Sequence, residues 1–282
     1  MKNNYWCPPC ILRQTLDLVR SSTEDEVSAE VAVKNVFRAM SEMDFSRDTA
    51  AIKRDMNHLA KQSSGNGESY ERFKTRLYRY ALEVFPKLVT HVETAGDPLE
   101  AALKVAASID IFAIGTNHHC DLQLLKTKLA DTDRRRLVGD PEEFYRQATA
   151  ARSILYLLDG AGQVFSDRLL ITQLPREKIT VAVGADEIGS ATLEEARIAG
   201  LDRMVEVIER GADVPGAPVD ECGQSFRRRF DQADLVIAKG QGNYETLGEV
   251  DKKIYFLMTA DCPIIAEEIG CQPGELALYS RN

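Results

Sequence analysis

The chain has 282 residues, of which 44% are hydrophobic and 28% are charged, and its formal net charge is -9 at pH 7. This composition is typical of a soluble globular protein with one large domain or two small ones. The negative charge disfavours a nucleic-acid partner, because neutralising phosphates requires a basic face. No run approaches the roughly 18 to 20 apolar residues that cross a bilayer, so we expect no membrane partner.

The amino-terminal segment "MKNNYWCPPC" has neither the basic block nor the apolar block of a secretory signal. We therefore predict a cytoplasmic protein whose six cysteines are reduced. The sequence indicates no particular oligomeric state.

The first part of the chain has a helical pattern. From Leu12 to about Leu103 apolar residues recur at intervals of three and four, which predicts helices. The polar segment "KQSSGNGES" predicts a loop between two of them. Asp97 and Pro98 suit the cap and the first position of a further helix. We therefore predict an all-helical region over residues 1–105.

From about Ser153 the pattern changes to short apolar segments of strand length, separated by stretches such as "TLEEARIAGLDRMVEVIERG" that we predict to be helical. These strand segments are "SILYLLD", "KITVAVG", "ADLVIAKG" and "KIYFLM". Strands that alternate with helices predict a mostly parallel sheet covered on both faces. We therefore predict an α/β sheet domain over residues 106–282.

In such sheets ligands bind beyond the carboxyl ends of the strands, which directs attention to Asp159. It ends a predicted strand and precedes Gly160 and Gly162, which let the backbone approach a ligand. A carboxylate in this place can hold a hard cation such as magnesium or manganese. The alternative is that Asp159 caps the next helix and the glycines only form a turn.

A second strand end carries a positive charge beside glycines. Lys239 precedes Gly240, and Asn243 stands at the start of the next predicted helix. Backbone amide groups at such a turn can face an anion, and a phosphate suits this arrangement. The alternative is an ordinary strand-to-helix turn with an exposed lysine.

Several segments spread over nearly the whole chain resemble one family. They are "CPPCILRQTLDL", "DPLEAALKVA", "LYLLDGAGQVFSDRLLITQL", "ATLEEARIAGLDRMVEVIERGADVPG" and "ADLVIAKGQGNYETL". The family is that of the metal-dependent damage-control phosphatases, the acidic-residue-methyltransferase-like domain, in its stand-alone prokaryotic branch. The resemblance implies a Rossmann-like α/β/α domain after a helical region, a divalent metal at the strand ends, and hydrolysis of small phosphorylated metabolites.

Carried over to this sequence, the resemblance implies a catalytic role for Asp159 and Lys239. Its phosphate-side motif matches Lys239, Gly240, Asn243 and Glu245. We therefore expect Gly240, Asn243 and Glu245, together with Gly162, to bind the substrate.

The metal side departs from the family pattern. Family members usually have an asparagine ligand and a glutamate where this chain has Gly160 and Gln163, and an aspartate ligand where it has Ser190. Asp159 is retained. The cofactor expected from the resemblance is a divalent metal (manganese, nickel, cobalt or magnesium), but with fewer ligands from the protein.

A further family motif with metal ligands corresponds to "GTNHHCD", which makes Asn117 and Asp121 candidate ligands. Asp110 in "SIDIF" is a competing placement of the same motif. Substitute donors for the missing ligands would come from four further side chains: Asp186, Glu187, His118 and His119.

Cys7 and Cys10 form a Cys-x-x-Cys motif, and Cys262 and Cys271 lie near the other end of the chain. Together they are candidates for a second metal site or a disulfide. We expect Pro8 and Pro9 to keep the turn between the first pair extended, unlike a redox motif that leads into a helix.

Three hypotheses follow. The first is a metal-dependent phosphatase of small phosphorylated metabolites, active or impaired. The second is a non-catalytic relative that binds a phosphorylated metabolite or a protein partner. The third is a structural metal or redox role of the cysteines.

Overall fold

A computed structural model describes residues 6–23, 25–63, 68–108, 127, 130–160, 162–185 and 190–281. The first part of the chain is helical, as predicted. Its helices are α1 (Cys7–Ser22), α2 (Glu26–Glu42), α3 (Thr49–Ser63), α4 (Glu68–Glu93) and α5 (Pro98–Ser108). In the part of the chain that is described, no helix is long and apolar enough to cross a bilayer.

Two helix starts test the sequence-based expectations. The backbone amide of Glu100 donates to Asp97 Oδ1 at 3.0 Å, so Asp97 caps α5 as predicted. The expectation for Pro8 and Pro9 was wrong, because α1 begins at Cys7 and both prolines lie in its first turn. The fixed φ of proline suits this position, where the missing amide hydrogen costs no helical hydrogen bond.

The second part of the described chain forms one seven-stranded sheet in the order β1-β7-β6-β5-β2-β3-β4. The strands are β1 (Leu137–Val138), β2 (Ile154–Leu157), β3 (Ile179–Val183), β4 (Glu206–Glu209), β5 (Leu235–Lys239), β6 (Ile254–Thr259) and β7 (Leu276–Ser280). Neighbouring strands are parallel except β6 and β7. The predicted Rossmann-like α/β/α class is confirmed.

Helices cover both faces of this sheet. They are α6 (Pro141–Ala150), α7 (Val164–Thr172), α8 (Leu193–Ile198), α9 (Gln224–Gln232), α10 (Gly240–Leu247) and α11 (Pro263–Ile269). Alternate residues of β2 point to opposite cores: Ile154 and Tyr156 pack with α1 to α8, and Leu155 and Leu157 with α9 to α11. The first core continues from the helical region into the sheet. The division at residues 105 and 106 stays a prediction.

The segment "TLEEARIAGLDRMVEVIERG" is not one helix, contrary to our prediction. Helix α8 ends at Ile198, and Gly200 follows with a φ of 70°, the left-handed conformation that ends helices. Residues Glu206–Glu209 then form the edge strand β4, whose two outer residues are exposed. Three of the seven strands (β1, β4 and β7) were not predicted.

The order of the strands indicates at which edge of the sheet a ligand site is expected. From β2 the chain continues through β3 to β4 on one side, and then returns to β5 on the other side of β2. This reversal leaves a crevice between the carboxyl ends of β2 and β5, the place where doubly wound folds bind ligands. Asp159 follows β2 and Gly240 follows β5.

Candidate active site

A cavity of about 1070 Å³ opens at the carboxyl ends of β2 and β5. The sheet side of its wall comes from the loop after β2 and the first turn of α10, and the opposite side comes from α1, α3 and the end of α5. Four of the six predicted catalytic and substrate-binding residues line it: Asp159, Lys239, Gly240 and Glu245. The structure therefore brings these four residues together.

Asp159 packs against the first turn of α10. Leu157 pairs with Ala238 across β2 and β5, so the two strands end at the same level. A β-carbon added to Gly240, whose φ is +76°, would lie 1.8 Å from Asp159 Oδ2, and one added to Gly242 would lie 3.5 Å from Asp159 Oδ1. Gly240 therefore allows the carboxylate to approach the helix. The positive end of the helix dipole favours a negative charge there.

Lys239 is buried and paired, although its sequence context indicated a point charge facing the ligand. Its Nζ donates to Asp167 Oδ1 at 2.6 Å and to the Ala106 carbonyl at 2.7 Å. The hydroxyl of Tyr156 donates to the same Asp167 oxygen at 2.7 Å. The exposed fractions of Lys239 and Asp167 are 1% and 0%. The ion pair therefore joins β5 to α7 and the end of α5.

Burial raises the pKa of the Asp167 carboxyl, while Lys239 and the Tyr156 hydroxyl act in the opposite direction. Burial also raises the pKa of Tyr156 well above its usual value. Sequence reasoning missed Asp167. The available signal was a lone acid within the apolar stretch "VFSDRLLI" of α7.

Glu245 connects the sheet to the helical region. Its carboxylate accepts hydrogen bonds from Lys53 Nζ at 2.7 and 2.8 Å, and Lys53 belongs to α3. Glu245 is 8% exposed and both side chains line the cavity. The pair therefore fixes α10 against α3 at the cavity wall. Binding of the substrate by Glu245 stays a prediction.

Asn243 is fully buried behind the cavity wall. Its Nδ2 donates to the Lys239 carbonyl at 2.7 Å and to the Leu158 carbonyl at 3.4 Å. It therefore ties the end of β5 to the end of β2. Its predicted contact with the substrate stays a prediction.

Gly160 and Ser190 lie opposite each other in an isolated antiparallel bridge. The amide of Ala191 donates to the Asp159 carbonyl at 2.9 Å, which extends this pairing. Gly160 and Ser190 line the cavity beside Asp159. Gly162, with a φ of 78°, forms the turn into α7. Gly162 therefore shapes the loop, and its predicted role in substrate binding stays untested.

The Asp159 carboxylate is the kind of donor that a hard divalent cation accepts, and its role as a metal ligand stays a prediction. Magnesium is commonly bound by one or two carboxylates, with water and phosphate oxygens completing its shell. Among the described residues, no group of three His, Cys, Asp or Glu side chains could hold a metal. The other candidate donors lie outside the described residues: Asp110, Asn117, His118, His119, Asp121, Asp186 and Glu187.

Cys7, Cys10 and Cys262 line the same cavity, and Cys271 is buried in a small cluster with Ala260 and Ala266. The structure has these four cysteines as thiols, not as disulfides. A metal or disulfide site built from them stays a prediction.

Fold and cavity together define a class: doubly wound α/β proteins with a ligand cavity at the switch point of the sheet. Residues 4–277 match the model of the damage-control phosphatase ARMT1-like domain. The chain therefore belongs to this family, as the resemblance in its sequence indicated.

Similar proteins extend over almost the full length of the chain. An uncharacterized protein of Methanocaldococcus jannaschii is 31% identical, over 98% of this chain and 94% of its own. Damage-control phosphatases of Archaeoglobus fulgidus and Pyrococcus horikoshii are 29% and 28% identical, over 98% of this chain and 98% and 97% of theirs. The crystal structure of a DUF89 family protein from Pyrococcus horikoshii superposes with a TM-score of 0.84 at 25% identity, and the match covers 100% of both chains.

Proposed function

We propose that this protein is a divalent-metal-dependent phosphatase that hydrolyses small phosphorylated metabolites. The observation that carries the proposal is the meeting of the Asp159 carboxylate with the glycine-rich first turn of α10 in one cavity. The carboxylate suits a cation and the helix turn suits an anion. A phosphate group would then be held by the helix amides on one side and by a cation bound to Asp159 on the other.

The anion side is formed by backbone. Gly240, Gln241 and Gly242 line the cavity at the start of α10. The first amide groups of a helix have no acceptor within the helix, and they form a common binding site for phosphate. Lys239 adds a donor, because an ammonium has three hydrogens and its contacts with Asp167 and Ala106 use two.

The cation side is anchored by Asp159, with manganese, nickel, cobalt or magnesium as the candidate metal. A bound cation supplies polarisation of the phosphoryl oxygens and lowers the pKa of a coordinated water. Asn117 and Asp121 are proposed as further ligands, on the resemblance alone. The protein contributes by holding the phosphate against α10 and by keeping Asp159 at a fixed distance from it.

The test is release of phosphate from p-nitrophenyl phosphate and from sugar phosphates in the presence of each of the four metals. We expect turnover with at least one metal and its loss in Asp159→Asn. Asp261→Asn is the matched control, because Asp261 is another carboxylate of the same cavity and lies beyond β6. Absence of turnover with every metal, from folded protein, would overturn the proposal.

A second candidate function is the binding of a phosphorylated metabolite without its hydrolysis, or of a protein partner. The observation that favours it is the bridge between Gly160 and Ser190, two cavity residues whose side chains bring no carboxylate beside Asp159. Calorimetric binding of a sugar phosphate that stays intact with every metal would support it. Turnover that depends on Asp159 would rule it out.

A further inference from the structure

Arg135 is a half-buried arginine that lines the same cavity as Asp159. Its Nη2 donates to the hydroxyl of Thr259, the last residue of β6, at 3.5 Å, and to the Gly274 carbonyl in the turn before β7. The Thr259 hydroxyl in turn donates to the Ala107 carbonyl at 2.9 Å. The guanidinium is therefore held against the sheet by one of its two terminal nitrogens.

The other nitrogens of this guanidinium keep their hydrogen-bond donors. An arginine side chain has five N–H donors, and the contacts with Thr259 and Gly274 use the two on Nη2. Among the residues that the structure describes, none accepts a hydrogen bond from Nη1 or Nε, and neither nitrogen is closed off from solvent. Three donors on a cation are therefore available to a ligand, and anions are the acceptors that such donors bind most strongly.

The sheet sets the separation between Arg135 and the phosphate site. Asp159 follows β2 and Thr259 ends β6, with β5 between the two strands. Neighbouring strands lie about 4.8 Å apart, so the ends of β2 and β6 are separated by about 10 Å across the sheet. Gly240, which follows β5, lines the same cavity. A small metabolite whose phosphate lies at the start of α10 can therefore reach Arg135 with its other end.

The charge of Arg135 is partly balanced by its surroundings. Burial lowers the pKa of its guanidinium, and the carboxylates of Asp261 and Asp131 raise it. An arginine stays protonated through such shifts. The site therefore does not depend on an unbalanced charge. It depends on N–H groups that face the cavity and have lost part of their hydration, which an anion replaces.

We propose that Arg135 binds a second anionic group of the substrate, a carboxylate or a second phosphate, while the ester phosphate lies between Asp159 and α10. The preferred substrates are then bisphosphates or phosphate esters of small acids, and phosphate esters of neutral alcohols are poorer substrates. The inference rests on the proposed function, because it takes the phosphate that is cleaved to lie at the start of α10.

The test compares sorbitol phosphate, phosphogluconate and sorbitol bisphosphate. They carry the same ester phosphate on the same carbon chain, and the far end is a hydroxyl, a carboxylate and a second phosphate respectively. Wild type is expected to have a kcat/KM at least about tenfold higher for one or both of the doubly anionic compounds, as for a hydrogen bond between charged groups. Arg135→Gln is expected to remove this preference and to leave kcat/KM for sorbitol phosphate unchanged. The compound that loses most distinguishes a carboxylate site from a phosphate site.

Arg13→Gln is the matched control, because Arg13 is an exposed arginine of α1 that lines the same cavity. It loses the same charge and is expected to keep the preference. An equal loss in Arg13→Gln would mean that the general charge of the cavity is responsible, and would overturn the inference. Equal losses for all three compounds in Arg135→Gln would show a structural role, and a wild type without preference would leave no second site; either result would overturn it as well.

Circular dichroism checks that each variant is folded. If Arg135→Gln does not fold, the Nε–H signal of Arg135 in nitrogen-15-labelled wild type decides, with Arg135→Lys used to assign it. This signal is expected to shift on addition of a doubly anionic compound and to stay in place with sorbitol phosphate. No shift with either doubly anionic compound would overturn the inference.

The two proposals fail separately. Turnover of all three compounds with equal kcat/KM would overturn the role of Arg135 and leave the phosphatase standing. If no metal supports turnover, calorimetry measures the dissociation constants of the same three compounds with manganese present. A preference in binding that depends on Arg135 would then support this inference, while the phosphatase is removed.

Discussion

At the scale of single residues, Asp167 and Lys239 show how an ionisable pair is used inside the fold. Each is at least 99% buried, and the pair is completed by the Tyr156 hydroxyl and the Ala106 carbonyl. A buried ion pair adds little net stability over apolar residues, but removing one partner is costly, because the other charge stays buried. The pair therefore makes the position of Lys239 depend strongly on Asp167.

We expect Asp167→Asn to lower the free energy of unfolding by about 3 to 5 kcal/mol, because the Lys239 ammonium loses its counter-charge. Urea denaturation followed by circular dichroism measures this. Asp202→Asn, at an exposed position, is the control and should change stability by less than about 0.5 kcal/mol. A similar small change in Asp167→Asn would mean that Lys239 is neutral in the folded protein.

Gly240 offers a second prediction at this scale. Gly240→Ala would place a β-carbon 1.8 Å from Asp159 Oδ2, so the carboxylate must move. We expect the phosphatase activity to fall by about a hundredfold, as for a misplacement of about 1 Å in an active site. Steady-state kinetics with p-nitrophenyl phosphate measures the loss.

Gly270→Ala is a matched control for this change. Gly270 has the same φ of +76°, but nothing lies within 4 Å of an added β-carbon. Both variants carry the backbone strain of about 1 to 2 kcal/mol, and only Gly240→Ala carries the clash. Equal activity of the two variants would show that the approach of Asp159 to α10 is not needed.

At the scale of elements, the two central strands are joined at both ends. At the carboxyl ends, Asn243 joins the carbonyl of Leu158, directly after β2, to that of Lys239, the last residue of β5. At the opposite ends, Arg152 donates to Asp234 from its backbone amide at 2.9 Å and from its guanidinium at 3.1 Å. The spacing of the two strands, and hence the distance from Asp159 to α10, is set from both sides.

The hydrogen bonds from Arg152 lower the pKa of Asp234 to about 2. Because this pKa is depressed on folding, the stabilising contribution is present above the ordinary pKa of an aspartate and is lost as the pH falls through about 2. NMR titration of the Asp234 carboxyl measures it.

In Arg152→Ala we expect this pKa to rise towards the ordinary value, but not to reach it, because the backbone amide of residue 152 still donates. Arg176→Ala, in the connection between α7 and β3, should leave it unchanged. An unchanged pKa in Arg152→Ala would assign the shift to the backbone alone.

At the scale of the whole molecule, the helical region and the sheet share one core. Leu88 of α4 and Leu103 of α5 belong to the same buried cluster as Ile237 of β5. The ion pair between Lys53 and Glu245 crosses the same boundary. The helical region therefore forms one wall of the cavity and also buries one face of the sheet.

From this shared core we expect a single cooperative unfolding transition for the whole chain, with the calorimetric enthalpy close to the van't Hoff enthalpy. Differential scanning calorimetry measures both. Two resolved transitions would contradict a shared core and would support separate domains at residues 1–105 and 106–282.

Much of the fold could be predicted from local pattern. The helices of the first part follow from apolar spacing, and β2, β3, β5 and β6 follow from apolar runs that are buried on both faces. Strands β1 and β4 were not predicted. Strand β1 has only two residues, and β4 is half-exposed at the edge of the sheet, so neither has a clear alternation of apolar and polar residues. The prediction of one helix across residues 192–211 was wrong from Gly200 onward. The amphipathic spacing of apolar residues continues past this glycine, but its left-handed conformation ends the helix.

The residues of the candidate site could likewise be predicted only in part. Asp159 and the "KGQGN" turn could be found from sequence, because parallel strands bring their carboxyl ends to one edge wherever they lie in the chain. Asp167 and Lys53 could not be found, because their partners are 72 and 192 residues away in the chain.

The sequence by itself therefore determined which segments are buried, which ends of the strands carry charge, and to which family the chain belongs. Only the tertiary structure decided that Lys239 is paired with Asp167 and that Glu245 is held by α3. The physical reason is that burial follows from local periodicity, whereas the partner of a buried charge depends on which distant segments the packing brings within hydrogen-bonding distance.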